Sequence, residues 1–142
     1  MCMLFFDFIE RISTTSSAVR YLREKGALAS SQLCEKCDKS MSEQVYELVL
    51  DGTVFRCSKC KARKSIRAGS FFRESKLELK IITSLVYLML LEVPHKKIAE
   101  VLGLSKNVVT DFGNLMREEY SKKLCGMDEK LGGPGVVVQV CN

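Results

Sequence analysis

The chain of 142 residues has no tryptophan, a single histidine and only two prolines. It also lacks a long apolar run. The most hydrophobic stretch, Ile81–Leu91, is flanked by Lys80 and Glu92 and is too short to span a bilayer. The start, MCMLFFDFIE, has no basic leader, is interrupted by Asp7 and is not promptly followed by a small-residue cleavage site, which argues against a secretory signal. No nucleophile–base pair stands out. Gly132-Gly133-Pro134-Gly135 lacks the lysine and the context of a phosphate-cradling loop. His95 follows Pro94 at the expected start of a helix, where an exposed polar residue is ordinary; as a metal ligand it is a spare. Wholesale disorder is excluded, since 46% of residues are hydrophobic and 27% charged.

What the chain does have is cysteine in a pattern. Cys34-x-x-Cys37 and Cys57-x-x-Cys60 are separated by nineteen residues. Cys2, Cys125 and Cys141 are scattered and the total of seven is odd, which does not suit a secreted disulfide framework. Two Cys-x-x-Cys pairs fill the four places of a tetrahedral zinc site. With no position left for water, such an ion is structural rather than catalytic. An iron–sulfur cluster or a redox dithiol remain as alternatives. A soluble protein of a reducing compartment is expected, not a secreted one.

Between the two pairs, EQVYELVLDGTVFRC alternates as a hairpin does. Asp51-Gly52 predicts a tight two-residue turn, with strands over about Gln44–Leu50 and Thr53–Cys57 and a third near Arg63–Arg67. Together these make a zinc ribbon. Six basic residues (Arg56, Lys59, Lys61, Arg63, Lys64 and Arg67) follow with no acidic residue among them. A solvated face, a counter-charge for zinc thiolates and a phosphate-binding stripe all account for such a run.

Helices are expected on both sides. SSAVRYLREKGAL reads as a short one, capped by Ser16 or Ser17 and ended at Gly26. Phe5, Phe6, Phe8 and Ile9 before it are read as a further turn packed on the core. ESKLELKIITSLVYLMLLEV opens with a Ser75/Glu78 capping box. It carries Leu77, Ile81, Leu85, Leu88 and Met89 at helical spacing and stops at Val93-Pro94.

Then HKKIAEVLGLSKNVVTDFGNLMREEYSKKL reads as two helices. The first covers about His95–Leu102; Gly103 makes the turn, Ser105 caps the second, and Val108, Val109, Phe112, Leu115 and Met116 line its buried side. Small Ala99 and flexible Gly103 fit a helix-turn-helix better than an ordinary helical hairpin. In the second helix Lys106, Asn107, Thr110, Asn114 and Arg117 are candidate DNA contacts. Asp111 on the same side opposes phosphate. Lys59, Lys61, Arg63, Lys64 and Arg67 are the candidate phosphate contacts of the ribbon. The fold class expected is a small α+β chain: an N-terminal helical segment (1–27), a zinc ribbon (28–72), a helix-turn-helix (73–125), and a linker with a truncated β-strand (126–142).

The order of these parts, with SIRAGSFFRESKLEL, AEVLGLSKNVVTDFGNLMREE and LGGPGVVVQV, resembles the N-terminal half of a transposase. The family is the Merlin superfamily of eukaryotic DNA transposons with its bacterial insertion-sequence relatives, and the resemblance runs from about Ala18 to the C-terminus. It implies that Val136–Val140 is the first strand of an RNase H-like nuclease. There Cys141 stands at the place of the first metal-binding aspartate, and the other acids lie beyond Asn142. A thiol does not suit magnesium, a hard cation that prefers oxygen ligands.

The resemblance therefore implies a zinc-dependent protein that binds transposon-end DNA without a catalytic centre, located in the nucleus, or in the cytoplasm of a bacterial source. Its expected partners are double-stranded DNA and either a second copy of itself or a full-length transposase, with no membrane and no small-molecule substrate. The competing readings are a zinc-ribbon protein-interaction module, a fragment of a complete cut-and-paste enzyme, and a decaying gene copy. On the leading reading the chain neither nicks nor joins supercoiled plasmid with magnesium or manganese. Strand transfer above background that is lost in Cys141→Ala would overturn it.

Overall fold

The computed structural model describes residues 5–125. The expected linker, the strand at Val136–Val140, Cys2 and Cys141 lie outside the described residues. The chain divides into two compact units, with the boundary between Glu92 and Val93. This differs from the boundary expected at 72/73 by one helix, which packs with the first unit.

In the first unit, helix α1 spans Phe5–Arg11 and α2 spans Thr15–Glu24. The cap of α2 is Thr14, one turn earlier in role than the serines expected. Its side chain accepts from the Ser17 N–H at 3.1 Å, and Ser17 Oγ in return accepts from the Thr14 N–H at 3.0 Å. This reciprocal pair satisfies two N–H groups that the first helical turn leaves without partners. Gly26 ends the helix in the left-handed region at φ 72°. The Ala27 N–H reaches Leu22 O and the Gly26 N–H reaches Arg23 O, closing the last turn.

A four-stranded antiparallel sheet follows, in the order β1 (Gln32–Leu33), β2 (Ser40–Val45), β3 (Thr53–Cys57) and β4 (Arg63–Ser65). β3 is the central strand, and Val54, Phe55 and Cys57 are buried. β2 exposes every residue but Met41. Arg23 of α2 donates to Glu43 of β2 at 2.8 Å and lies over the Phe55 ring. So α2 covers the face that carries Glu43 and Phe55.

The expected two-residue turn at Asp51-Gly52 is not formed. β2 ends at Val45, and residues 46–52 make a longer loop closed by the Tyr46 N–H on Gly52 O at 2.8 Å. Gly52 alone takes positive φ, at 68°. Asp51 is drawn away by a tertiary partner. Its carboxylate takes two hydrogen bonds from Arg67, at 2.7 and 2.6 Å, and Arg67 Nη1 also donates to Ser75 O at 2.8 Å. Both side chains are buried, 5% and 7% exposed.

Helix α3 spans Leu79–Leu90. The expected Ser75/Glu78 capping box does not form, and Glu78 instead pairs with Lys80 at 3.0 Å. The buried positions are Leu79, Ile82, Thr83 and Leu85, a face rotated from the one expected. Thr83 and Ser84 donate to the carbonyls one turn back, so neither hydroxyl lacks a partner. Phe8 ties α1 to α3 by stacking on Tyr87 at 4.0 Å and meets Tyr21 of α2 edge-on at 6.0 Å. Burying one such ring stabilises by about 1.5–3 kcal/mol. Phe5, Phe6 and Ile9, expected in the core, are exposed.

The second unit contains α4 (His95–Leu102) and α5 (Lys106–Cys125). Gly103 between them has φ 65°, a conformation that costs other residues about 1 kcal/mol or more. The Leu104 N–H returns to Ala99 O, and Ser105 Oγ accepts from the Val108 N–H at 3.3 Å. Ile98, Ala99, Val109 and Phe112 are buried, while Val108 and Leu115, expected inside, are exposed. Among the described residues no helix is long and apolar enough to cross a membrane.

The Arg67–Asp51 pair generates a stability prediction. Asp51→Ala strands a buried guanidinium and should cost about 3–5 kcal/mol in urea unfolding of the metal-loaded protein. Lys64→Ala, which removes an open ion pair, should cost under about 1 kcal/mol. Equal effects would mean that the buried pair contributes no more than a surface one.

Candidate metal centre

The first cysteine of each pair sits where the chain leaves or enters a strand, and the second sits in a tight turn. The two turns repeat one another. The Cys34 N–H donates to Lys39 O and the Asp38 N–H to Cys34 O, both at 2.9 Å. In the second, the Cys57 N–H donates to Ala62 O at 2.9 Å and the Lys61 N–H to Cys57 O at 3.1 Å. Each turn closes on a residue with positive φ, Asp38 at 53° and Lys61 at 60°. Asp tolerates this conformation through its short polar side chain. Lys61 has no such relief, although its Nζ donates to Ser58 O at 2.8 Å.

The sheet register places Cys57 beside Met41 and so brings the two turns to the same end. All four sulfurs lie within 4.8 Å of one another. Cys34–Cys60 and Cys37–Cys57 are each 3.3 Å apart, and Cys37–Cys60 are 3.8 Å apart. These are free thiols, well beyond the disulfide length of about 2.05 Å. A tetrahedron with about 2.3 Å metal–sulfur bonds has edges of about 3.8 Å. The four sulfurs therefore fit one metal ion, with two edges slightly short. Cys34 and Cys57 are buried, Cys37 is half-buried and Cys60 is exposed.

The backbone already favours thiolate at two of the four. The Lys36 N–H, and then the Cys60 thiol, hold Cys34 below the ordinary thiol value. The Cys60 N–H does the most to bring Cys57 down to about 6. Cys37 is pushed up to about 12, chiefly by its hydrogen bond with Cys57, against the Lys39 N–H. One proton shared between neighbouring sulfurs explains the split, and a bound cation removes it by deprotonating all four. Four thiolates are a soft, closed donor set, suited to zinc or to iron with sulfide, and they leave no vacant position for a substrate.

Around this centre the basic run is divided. Lys59, Lys61 and Arg63 are exposed. Lys64 is half-buried and bonded to Glu35 at 2.8 Å, which holds the Glu35 carboxyl below its usual range. Arg67 corrects the expectation of a free stripe: it is 4% exposed and committed to Asp51 and Ser75, so it is not available to phosphate. No local sequence signal marks the pair, because its partners are sixteen residues apart. In the second unit Lys106, Asn107, Asn114 and Arg117 are exposed and Thr110 is half-buried. Thr110 Oγ1 donates to Lys106 O, and Arg117 donates to Asn114 Oδ1 at 3.1 Å. Asp111 lies exposed among them. His95 opens α4 and is not one of the clustered ligands.

Comparison with known proteins finds no matching family model, no matching curated protein and no matching solved structure.

Purified without added metal, the protein should carry one ion per chain, and strong chelation should unfold the sheet, because metal binding and folding are linked in so small a site. Apparent affinity should weaken as pH falls, since thiols must lose protons to bind. Cys57→Ser should lose the ion. Elemental analysis showing less than about half an equivalent in wild type would overturn the assignment.

Proposed function

We propose that the chain is a zinc-dependent DNA-binding protein, in which a zinc ribbon stiffens the platform and α4–α5 acts as a helix-turn-helix. The observation that carries the DNA reading is the two-sidedness of α5. Its opening turns expose Lys106, Asn107 and Asn114, while Val109 and Phe112 on the other side are buried. Left-handed Gly103 and the Ser105 cap supply the sharp entry that such a pair of helices needs. Polar residues opening a helix with an exposed face suit the major groove.

Zinc is favoured over an iron–sulfur cluster because all four sulfurs lie within 4.8 Å of one another, close enough to share a single ion. The transposase origin rests on the resemblance of the sequence motifs. On that reading the target is transposon-end-like DNA, the location is the nucleus, and cleavage is left to another chain or domain.

A protein-interaction module is favoured by a different observation. Val45 is 78% and Leu48 84% exposed at the end of β2 and in its loop, with Leu50 of the same loop also exposed. Exposed apolar clusters of this kind mark binding surfaces for other proteins.

Binding titrations on a selected duplex and a scrambled one separate the two. Asn107→Ala should erode the preference between sites by about 1–3 kcal/mol while leaving the salt dependence nearly unchanged. Absence of salt-sensitive binding to any duplex by the metal-loaded wild type would sink the DNA reading.

A further inference from the structure

The two cysteine turns match in backbone but not in charge. The first carries Glu35, Lys36, Asp38 and Lys39, two acids against two bases. The second carries Lys59 and Lys61 and is flanked by Arg56 and Arg63. Counter-charge for the thiolates of one shared ion does not require cations gathered on a single turn. Nor are all six cations of the run free. Lys64 is held by Glu35 and Arg67 by Asp51. Among the described residues, no carboxylate pairs with Arg56, Lys59, Lys61 or Arg63.

Two of these four are placed against each other. Arg56 of β3 and Arg63 of β4 are direct register partners, and Ser42 of β2 completes the row. They lie on the face opposite to the one α2 covers, since Glu43 and Phe55 alternate with them. Directly opposed strand residues have Cβ atoms about 4.5–5.5 Å apart, and like charges there are destabilising. Arg63 is positioned by the Tyr46 ring, 4.4 Å from its centroid. Arg56 donates to Gln44 Oε1 at only 3.3 Å, and its Nε is shielded from solvent without a hydrogen-bond partner. Two guanidinium groups on neighbouring strands, uncompensated by acid, are complementary to one phosphate, which accepts from planar forks of this kind.

We propose that Arg56 and Arg63 clamp a single phosphate group on the face of the sheet opposite α2. Resting on the DNA reading above, that phosphate belongs to the backbone of the bound duplex. The clamp makes Arg56, rather than Lys64 or Arg67, the principal partner of Arg63 in phosphate contact. Arg56 acts as a positional anchor: it carries no sequence information and fixes the duplex relative to the metal centre.

The test uses the full, metal-loaded chain. Arginine side-chain N–H signals are followed by NMR while a short duplex, and separately inorganic phosphate, is added. The signals of Arg56 and Arg63 should shift together with either probe. Arg56→Gln, Arg63→Gln and the double variant should each retain the metal. Each should flatten the slope of log affinity against log salt by about 0.9, the value for one phosphate. The double variant should flatten it no further than the singles do. Lys64→Gln should leave the slope nearly unchanged. A double variant that lowers the slope by about twice that amount would show two separate contacts and overturn a shared clamp. Unshifted arginine signals with both probes would overturn it as well. If no duplex binds, the DNA reading fails by itself. Joint shifts with inorganic phosphate then uphold the clamp as an anion site, and their absence removes it.

Discussion

The four sulfurs at the end of the sheet are the constraint from which the first unit is built. β2 buries a single side chain, Met41, and β1 and β4 are only two and three residues long. The apolar burial of the sheet rests on β3 and the helix that covers it, and the short outer strands add little of their own. Joining both cysteine turns through one ion ties the β1–β2 connection to the β3–β4 connection. Such a link would hold the central pair in its register. The positive φ of Lys61 is tolerated for the same reason: strained backbone persists where its surroundings leave no alternative.

Charge is then partitioned by burial. Arg67 closes the far side of the unit, drawing the β2–β3 loop and the segment before α3 onto one guanidinium. It behaves as a buried fastener and is costly to disturb from either partner. Lys64 is neutralised at the rim. What remains uncompensated belongs to one hairpin, β3–β4. The cationic character of the run therefore appears at one place in the fold, although the sequence spreads it over twelve positions.

The parts that could be read from sequence are those set by local chemistry. The cysteine spacing placed the four ligands. Gly26, Pro94, Gly103 and Ser105 punctuate the chain where expected, because a left-handed turn, a helix stop or a cap depends on near neighbours. The misreading at Asp51 has a partner distant in sequence as its cause; the others have causes of their own. Asp51 looked like half of a tight turn until Arg67 claimed its carboxylate. Ser75 and Glu78 looked like a capping box, but the Ser75 carbonyl accepts from Arg67 and Glu78 holds Lys80. The buried face of α3 shifted because Leu79 and Ile82, not Leu77 and Ile81, turn toward the core. Phe6 meets only the edge of Phe5 among the described aromatic rings and stays exposed, as does Ile9. The two-residue β1 has no signal at that length.

The brevity of the outer strands has a further consequence. A sheet edge offers unpaired N–H and C=O groups to any passing chain, and long, flat, apolar edges seed aggregation. Here one edge is Gln32–Leu33 and the other is Arg63–Ser65, whose first two residues are cationic. Both edge strands are short, and Arg63 and Lys64 place charge on one of them; β1 pairs only with Ser40 and Met41, so among the described residues 42–45 of β2 have no strand on that side. Sideways growth is therefore opposed at the charged β4 edge, whereas the open stretch of β2, which ends in exposed Val45, is where an added strand would pair.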